Sequence, residues 1–247
     1  MQIIKNIYQL AGNSFGTVTN MYAIKGKDEV VLIEGGGSDD LEVAKKTMKY
    51  WGLTDLPITH VFITHSHADH SGNAHIYREL GAKIVAVSGD AEAIENGNDC
   101  VIDYCPFYRQ RFVPCPVDIK PKDGDNINAA GIEIKVIHVP GHTSGSNFFK
   151  YVAEDGRVVL FTGDIVGVGY KEDFRLAKFF WSAGSDYDRK IFFESLKRIK
   201  DLEADIILPS HGEKILENGW KILKSLYLRA LLDWRGPHPR FDGYKYD

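Results

Sequence analysis

Between Thr64 and His70 the chain reads Thr-His-Ser-His-Ala-Asp-His, directly after a short apolar run at 60–63. Three imidazoles and a carboxylate within six positions cannot be packed as ordinary core. Buried without a cation, they would bring unpaired or like-charged groups together at heavy cost. The segment therefore demands a rigid frame, and the ends of strands supply one. In an extended stretch, residues two apart share a face, so His65, His67 and Asp69 can point the same way. The chain must then turn, because His70 leads into a helix. His65 and His67 can serve one ion, and Asp69 and His70 a second one close by. Two-metal hydrolytic sites hold their ions roughly 3.5–4 Å apart, a span this run can cover.

Other ligand types stand at comparable places. His142 follows a strand expected at 132–139, Asp164 one at 158–161, and His211 one at 206–208, each in a short Gly- or Ser-containing loop. A carboxylate has two oxygens, so Asp164 is the natural bridge between two ions. Of the nine histidines, His60, His75 and His238 read as ordinary polar residues, and His138 as a strand residue or an orienting group.

The remaining pattern places these loops on a sandwich. Strands are expected at 3–10, 18–24, 30–33, 60–63, 83–87, 132–139, 147–151, 158–161 and 206–208. Helices are expected from a cap at Ser38 or Asp39 to about Tyr50, from His70 to about Leu80, and at 90–95, 187–199 and 219–233. Runs of strands with helices between them favour a layered α/β (α+β) sandwich. One domain over 1–247 is expected, with covering loops at 97–117 and 165–184 and a tail at 235–247. Both loops are aromatic, and Phe107, Tyr108, Tyr170 and Trp181 are candidates for the wall of a substrate pocket.

Composition narrows the partners. Hydrophobic residues make up 44% and charged residues 26%, as in an ordinary globular protein. The net charge of −4 argues against nucleic acid as the main partner, and a small-molecule substrate is expected. No run approaches the roughly 20 apolar residues that span a bilayer, and the first ten residues lack a signal-peptide core, so no membrane and a cytoplasmic place are expected. Cys100, Cys105 and Cys115 lack zinc-ribbon spacing and read as reduced thiols in a covering loop.

At this point the motifs resemble those of the metallo-β-lactamase-fold superfamily. Thr64-His65-Ser66-His67-Ala68-Asp69-His70-Ser71-Gly72 looks like its signature. Pro140-Gly141-His142-Thr143-Ser144-Gly145-Ser146, Phe161-Thr162-Gly163-Asp164 and Pro209-Ser210-His211-Gly212 follow in the family's order. The resemblance implies a four-layer αββα sandwich. It also implies that His65, His67 and His142 hold one ion, that Asp69, His70 and His211 hold the other, and that Asp164 bridges them. Asp69 and Asp164 would orient the hydroxide formed from a shared water, which attacks the substrate. Zinc suits such ligands, as do iron and manganese.

Two places depart from the family's commonest pattern. An early strand often ends in Asp-Gly, where this chain has Glu34-Gly35. The Asp at 164 points to the branch of glyoxalase II-like thioesterases and lactonases. The Tyr that lactonases tend to carry three residues after that Asp is Gly167 here. Glyoxalase II-like enzymes carry a larger C-terminal part with basic residues for glutathione, whereas Lys221, Lys224 and Arg229 read as a solvated helix face. The expectation is a dinuclear hydrolase of an ester, thioester or lactone. The alternatives are a small-molecule phosphodiesterase, a β-lactam hydrolase or a di-iron redox protein, the last of which tends to carry Glu where His67 stands.

Overall fold

A computed structural model describes residues 1–103, 111–168, 177–180, 182 and 184–235. The first sheet holds six strands in the order β1 (Gln2–Ile4), β2 (Ile7–Gln9), β3 (Tyr22–Lys25), β4 (Val30–Ile33), β5 (Ile58–Phe62) and β6 (Lys83–Val85). The first four pair antiparallel, and β4, β5 and β6 run parallel. The second sheet contains β7 (Asn126–Ala129), β8 (Ile132–His138), β9 (Asn147–Val152), β10 (Val158–Phe161) and β13 (Ile206–Leu208), ordered β13-β10-β9-β8-β7. Only β10 and β13 are parallel there. A two-residue pairing of β11 (Gly167–Val168) with β12 (Ala177–Lys178) lies outside both sheets.

The layers follow from strand alternation. Val31 and Ile33 of β4 face a central core that also receives Phe62, Val136, Phe149, Val159, Phe161 and Leu208. Val30 and Leu32 face the other way, into a core completed by Ala44 and Met48 of α1 (Ser38–Tyr50), Tyr77 of α3 (Ala74–Glu79) and Ile94 of α4 (Ser88–Asn96). On the far side, Phe148 and Leu160 meet Phe192, Phe193 and Leu196 of α5 (Arg189–Ile199) and Leu223 and Leu226 of α6 (Gly219–Arg235). Helices, sheet, sheet and helices are therefore stacked around three apolar layers, as in the expected αββα sandwich. Among the described residues no helix is long and apolar enough to cross a membrane.

Several elements differ from the sequence reading, each for a local reason. The strand expected at 3–10 is a hairpin that turns at Lys5-Asn6, where Asn6 takes φ +65°. The strand expected at 18–24 starts only at Tyr22, because Val18, Thr19 and Asn20 are committed to bonds with distant loops. The helix expected from His70 to Leu80 breaks into α2 (Ala68–Ser71) and α3, and Asn73 between them donates to the carbonyls of Gly35 and Gly37. Helix α1 is capped by Gly37 rather than Ser38 or Asp39, with the Asp40 carboxylate accepting the Gly37 N–H. Strand β7 is too polar to stand out in sequence. It is made by its turn, where Ala130 (φ +52°) and Gly131 (φ +74°) give the doubly positive geometry of a tight hairpin.

Of the two expected covering loops, 104–110 and 169–176 lie outside the described residues, as does the tail beyond Arg235. The described remainder of the first loop is partly core, since Phe112, Cys115 and Val117 are buried against the outer face of the first sheet.

Phe149 is fully buried between the sheets, with its ring 5.1 Å from that of Phe62 at 75°. Replacing it with Ala is expected to destabilise the protein by about 3–5 kcal/mol. Chemical denaturation of both proteins measures this.

Candidate metal centre

Seven side chains converge at one end of the sandwich. His65, His67, Asp69 and His70 come from the loop after β5 and from α2. His142 comes from the loop after β8, Asp164 from the turn after β10, and His211 from the turn after β13. The parallel pairing of β10 with β13 brings the last two out side by side. Ligand-type atoms of His65, His67, His142 and Asp164 all lie within 4.8 Å of one another, and so do those of Asp69, His70 and His211.

Asp164 stands between these groups with its two oxygens divided. Oδ2 is 3.6 Å from His142 Nε2 and 4.0 Å from His65 Nε2. Oδ1 is 3.4 Å from His211 Nε2 and 3.5 Å from His70 Nε2. Asp69 joins the second group, its Oδ2 lying 3.0 Å from His211 Nε2 and 3.3 Å from His70 Nε2. The side chains of His65, His70 and His142 are at most 2% exposed, whereas that of His211 is 19% exposed, so the centre opens beside His211.

Every histidine has one ring nitrogen tied to the surrounding protein, which leaves the other for the centre. His142 Nδ1–H donates to the Phe180 carbonyl at 3.0 Å, and His211 Nδ1–H to the Val18 carbonyl at 3.1 Å. His70 Nδ1–H donates to Glu34 Oε1 at 3.1 Å. The Thr64 hydroxyl donates to the same oxygen, and its own oxygen accepts His65 Nδ1–H at 3.1 Å. His67 is reversed: Nε2 meets Ser182 Oγ at 3.0 Å, and Nδ1 faces His65 Nε2 at 3.0 Å. With Nδ1–H of His65 donating to Thr64, whose own hydrogen goes to Glu34, His65 Nε2 keeps its lone pair for the centre.

The buried atoms fit a metal in a second way. Asp69 Oδ1, His70 Nε2, His142 Nε2 and Asp164 Oδ1 have no hydrogen-bond partner among the described residues. Unsatisfied buried polar atoms are rare and costly, and four in one place need an explanation. Imidazole nitrogens with carboxylate oxygens are a donor set that divalent transition metals accept.

Charge divides the centre. Burial holds the basicity of His65, His67 and His142 below that of a free imidazole, and neighbouring imidazoles add to the effect. Burial also opposes charge on His70 and His211, but carboxylates outweigh it there. Asp69, Asp164 and Glu34 raise His70, and Asp164 and Asp69 raise His211 to about 9. Asp69 and Asp164 are held low: burial works against this, but His70 and His211 beside both outweigh it.

Supporting residues were only partly legible in sequence. Glu34, at φ +71° and fully buried, lies near His65 and His70 and could be counted as a ligand itself. Its Oε1, however, already accepts from Thr64, His70 and Ser210, and Oε2 from the Thr64 N–H. It is a shared support, one carboxylate behind both groups. The Thr19 hydroxyl donates to Asp69 Oδ2 at 3.3 Å. Asp90 accepts bonds from two of the ligand loops. Burial pushes its carboxyl up to about 7 against the pull of the Thr143 hydroxyl bond, and Asp186 adds to the rise. Neither Thr19 nor Asp90 belongs to a recognisable motif.

His138 braces its own hairpin, with Nε2 at 2.9 Å from the Ser144 carbonyl, and His60 and His75 bond locally. His238 and the four pocket candidates Phe107, Tyr108, Tyr170 and Trp181 lie outside the described residues. Among the described aromatic residues of the second loop, Phe180 stands edge-on to His211, ring to ring at 5.7 Å. Cys100 and Cys115 are free thiols, and burial pushes that of Cys115 up to about 11.

Comparisons with known proteins bear on the family and the fold. A family model described as the Metallo-beta-lactamase superfamily matches residues 15–211. A hydroxyacylglutathione hydrolase of Pelagibacter ubique is 27% identical over 126 residues, covering 51% of this chain and 43% of that protein. An atrochrysone carboxyl ACP thioesterase of Passalora fulva is 24% identical over 228 residues, covering 88% and 56%. The chain spans about half the length of the curated relatives it matches. Among solved structures, a metallo-beta-lactamase of Cronobacter sakazakii superposes with a TM-score of 0.73 at 18% identity, covering 95% of this chain and 92% of that one. At that identity the likeness is one of fold.

Replacing Glu34 with Ala removes the partner of His70 and, through Thr64, the support of His65. It is expected to weaken divalent-ion binding by about 10–100-fold. Competition with a chelator, compared with wild type, checks this.

Proposed function

Since the chain belongs to the metallo-beta-lactamase superfamily, we propose that it is a dinuclear metal-dependent hydrolase acting on a small ester, thioester or lactone. The observation that carries this reading is the divided carboxylate of Asp164, with one oxygen toward His65 and His142 and the other toward His70 and His211. His65, His67 and His142 would hold one ion, Asp69, His70 and His211 the other, and Asp164 both. Zinc is the proposed metal, and iron and manganese also suit these donors. The curated relatives named as a hydrolase and a thioesterase support a hydrolytic reaction. The likeness to beta-lactamases is a likeness of fold and names no substrate.

When bound, divalent ions at such a site acidify water and polarise a carbonyl oxygen. The chain's own part is positional. The bonds to Phe180, Val18, Glu34 and Thr64 hold four of the imidazole rings and fix their tautomers, and the bond to Ser182 holds that of His67. Asp69 and Asp164 present carboxylate oxygens toward the attacking water and orient it. Burial of the centre keeps bulk water from weakening these interactions. No serine or cysteine nucleophile is required.

Purified protein is expected to hold about two transition-metal ions per chain by elemental analysis. Asp164→Ala should lose at least one and reduce turnover by about 100-fold or more, on a panel of thioesters, lactones, phosphodiesters and β-lactams. Wild-type protein without metal, or a variant keeping both ions and near-normal turnover, overturns the proposal.

The proposed small-molecule substrate would be selected by the aromatic loops. Ala substitutions at Phe107, Tyr108, Tyr170 and Trp181 are expected to change relative rates across that panel with little change in melting temperature. Four variants that only lose stability would show that selectivity lies elsewhere.

A further inference from the structure

The three histidines of one half of the centre arrive on two loops that share no strand. His65 and His67 follow β5 in the first sheet, and His142 follows β8 in the second. Asp90 stands where these loops meet. It lies in the first turn of α4 and is 1% exposed. Its Oδ2 accepts the N–H of Ser66, between His65 and His67, at 2.8 Å, and the hydroxyl of Thr143, next to His142, at 2.7 Å. Its Oδ1 accepts the N–H of Gly145 at 2.8 Å. One carboxylate therefore clasps both loops.

The packing leaves the His142 loop no slack. A Cβ on Gly145 would lie 2.4 Å from the Asp90 nitrogen, and one on Gly89 would lie 2.8 Å from the Gly145 nitrogen. The His142 loop rests directly on the start of α4. Among the described residues no hydrogen bond joins the Asp90 side chain to the other half of the centre, which is held differently: Val18 and Thr19 support His211 and Asp69, and Glu34 supports His70.

We infer that Asp90 is a positioning residue that sets the spacing of the His65–His67 loop against His142, and so governs the affinity of one ion of the pair and not of the other. The inference rests on the two-ion reading above. Removing an acceptor would leave a buried N–H or hydroxyl unpaired and free the two loops to separate.

The test is titration of metal-free protein with Co(II), following both stoichiometry and the visible spectrum. Asp90→Asn keeps the size of the side chain but loses one acceptor atom. It is expected to bind one ion as wild type does and the other about 10–100-fold more weakly. The spectrum of its one-ion form should match that of His142→Ala, in which the same half is disabled, and not that of His211→Ala. Thr143→Val, which lacks the hydroxyl donor, should act in the same direction. Thr143→Ser, which keeps it, should bind like wild type. Asp90→Asn binding both ions normally, losing both in parallel or losing the ion of the other half overturns the inference. If Asp90→Asn does not fold, the Thr143 pair decides, and wild-type binding by Thr143→Val overturns it. Wild-type protein that binds no ion would instead overturn the proposed function.

Discussion

The fold is organised around a local cost. Four histidines and two carboxylates are placed almost wholly out of water, with several of their polar atoms unpaired. A marginally stable protein can hold such groups together only if the frame around them is rigid. The three apolar layers supply the rigidity, because close-packed interiors do not yield gradually. The strands that frame the centre end at the same pole, and their loops meet over a frame that cannot follow the groups apart.

The two halves of the centre are held by different parts of the chain. Residues 18–20 and 209–212 interlock through Asn20, which donates to the carbonyls of Pro209 and Gly212, and this pair of segments fixes His211. The other half depends on the segment near 180–186: Phe180 and Ser182 hold His142 and His67, and Asp186 accepts the Ser144 N–H. Glu34 supports both halves, directly through His70 and by way of Thr64 to His65.

The sequence made the seven converging residues legible because each stands just after a run of β-branched and apolar residues, a signal both local and periodic. Strands β4, β10 and β13 were readable to the residue for the same reason. Thr19 and Asp90 were not legible, since what defines them is a bond across 50 residues in one case and 53 in the other. Strand β7 was missed because its pairing is imposed by the Ala130-Gly131 turn and by β8, not by its own residues. Asn73 was missed because an amide that donates to two distant carbonyls looks, in sequence, like any residue early in a helix.

With the ligand loops gathered at one pole, the opposite pole is left with short connections that reach nothing in the centre: Lys5-Asn6, the residues between β3 and β4, Ala130-Gly131, and the exposed Glu154-Asp155-Gly156 turn between β9 and β10. The molecule thus has a chemical end and a neutral end, with rigid sheets between. Changes of length in the connections at the neutral end alter the outline of the protein without altering the distances among the metal-binding atoms. Exposed connections of this kind are where a fold tolerates insertions, so such a chain can vary at one pole while the other stays fixed.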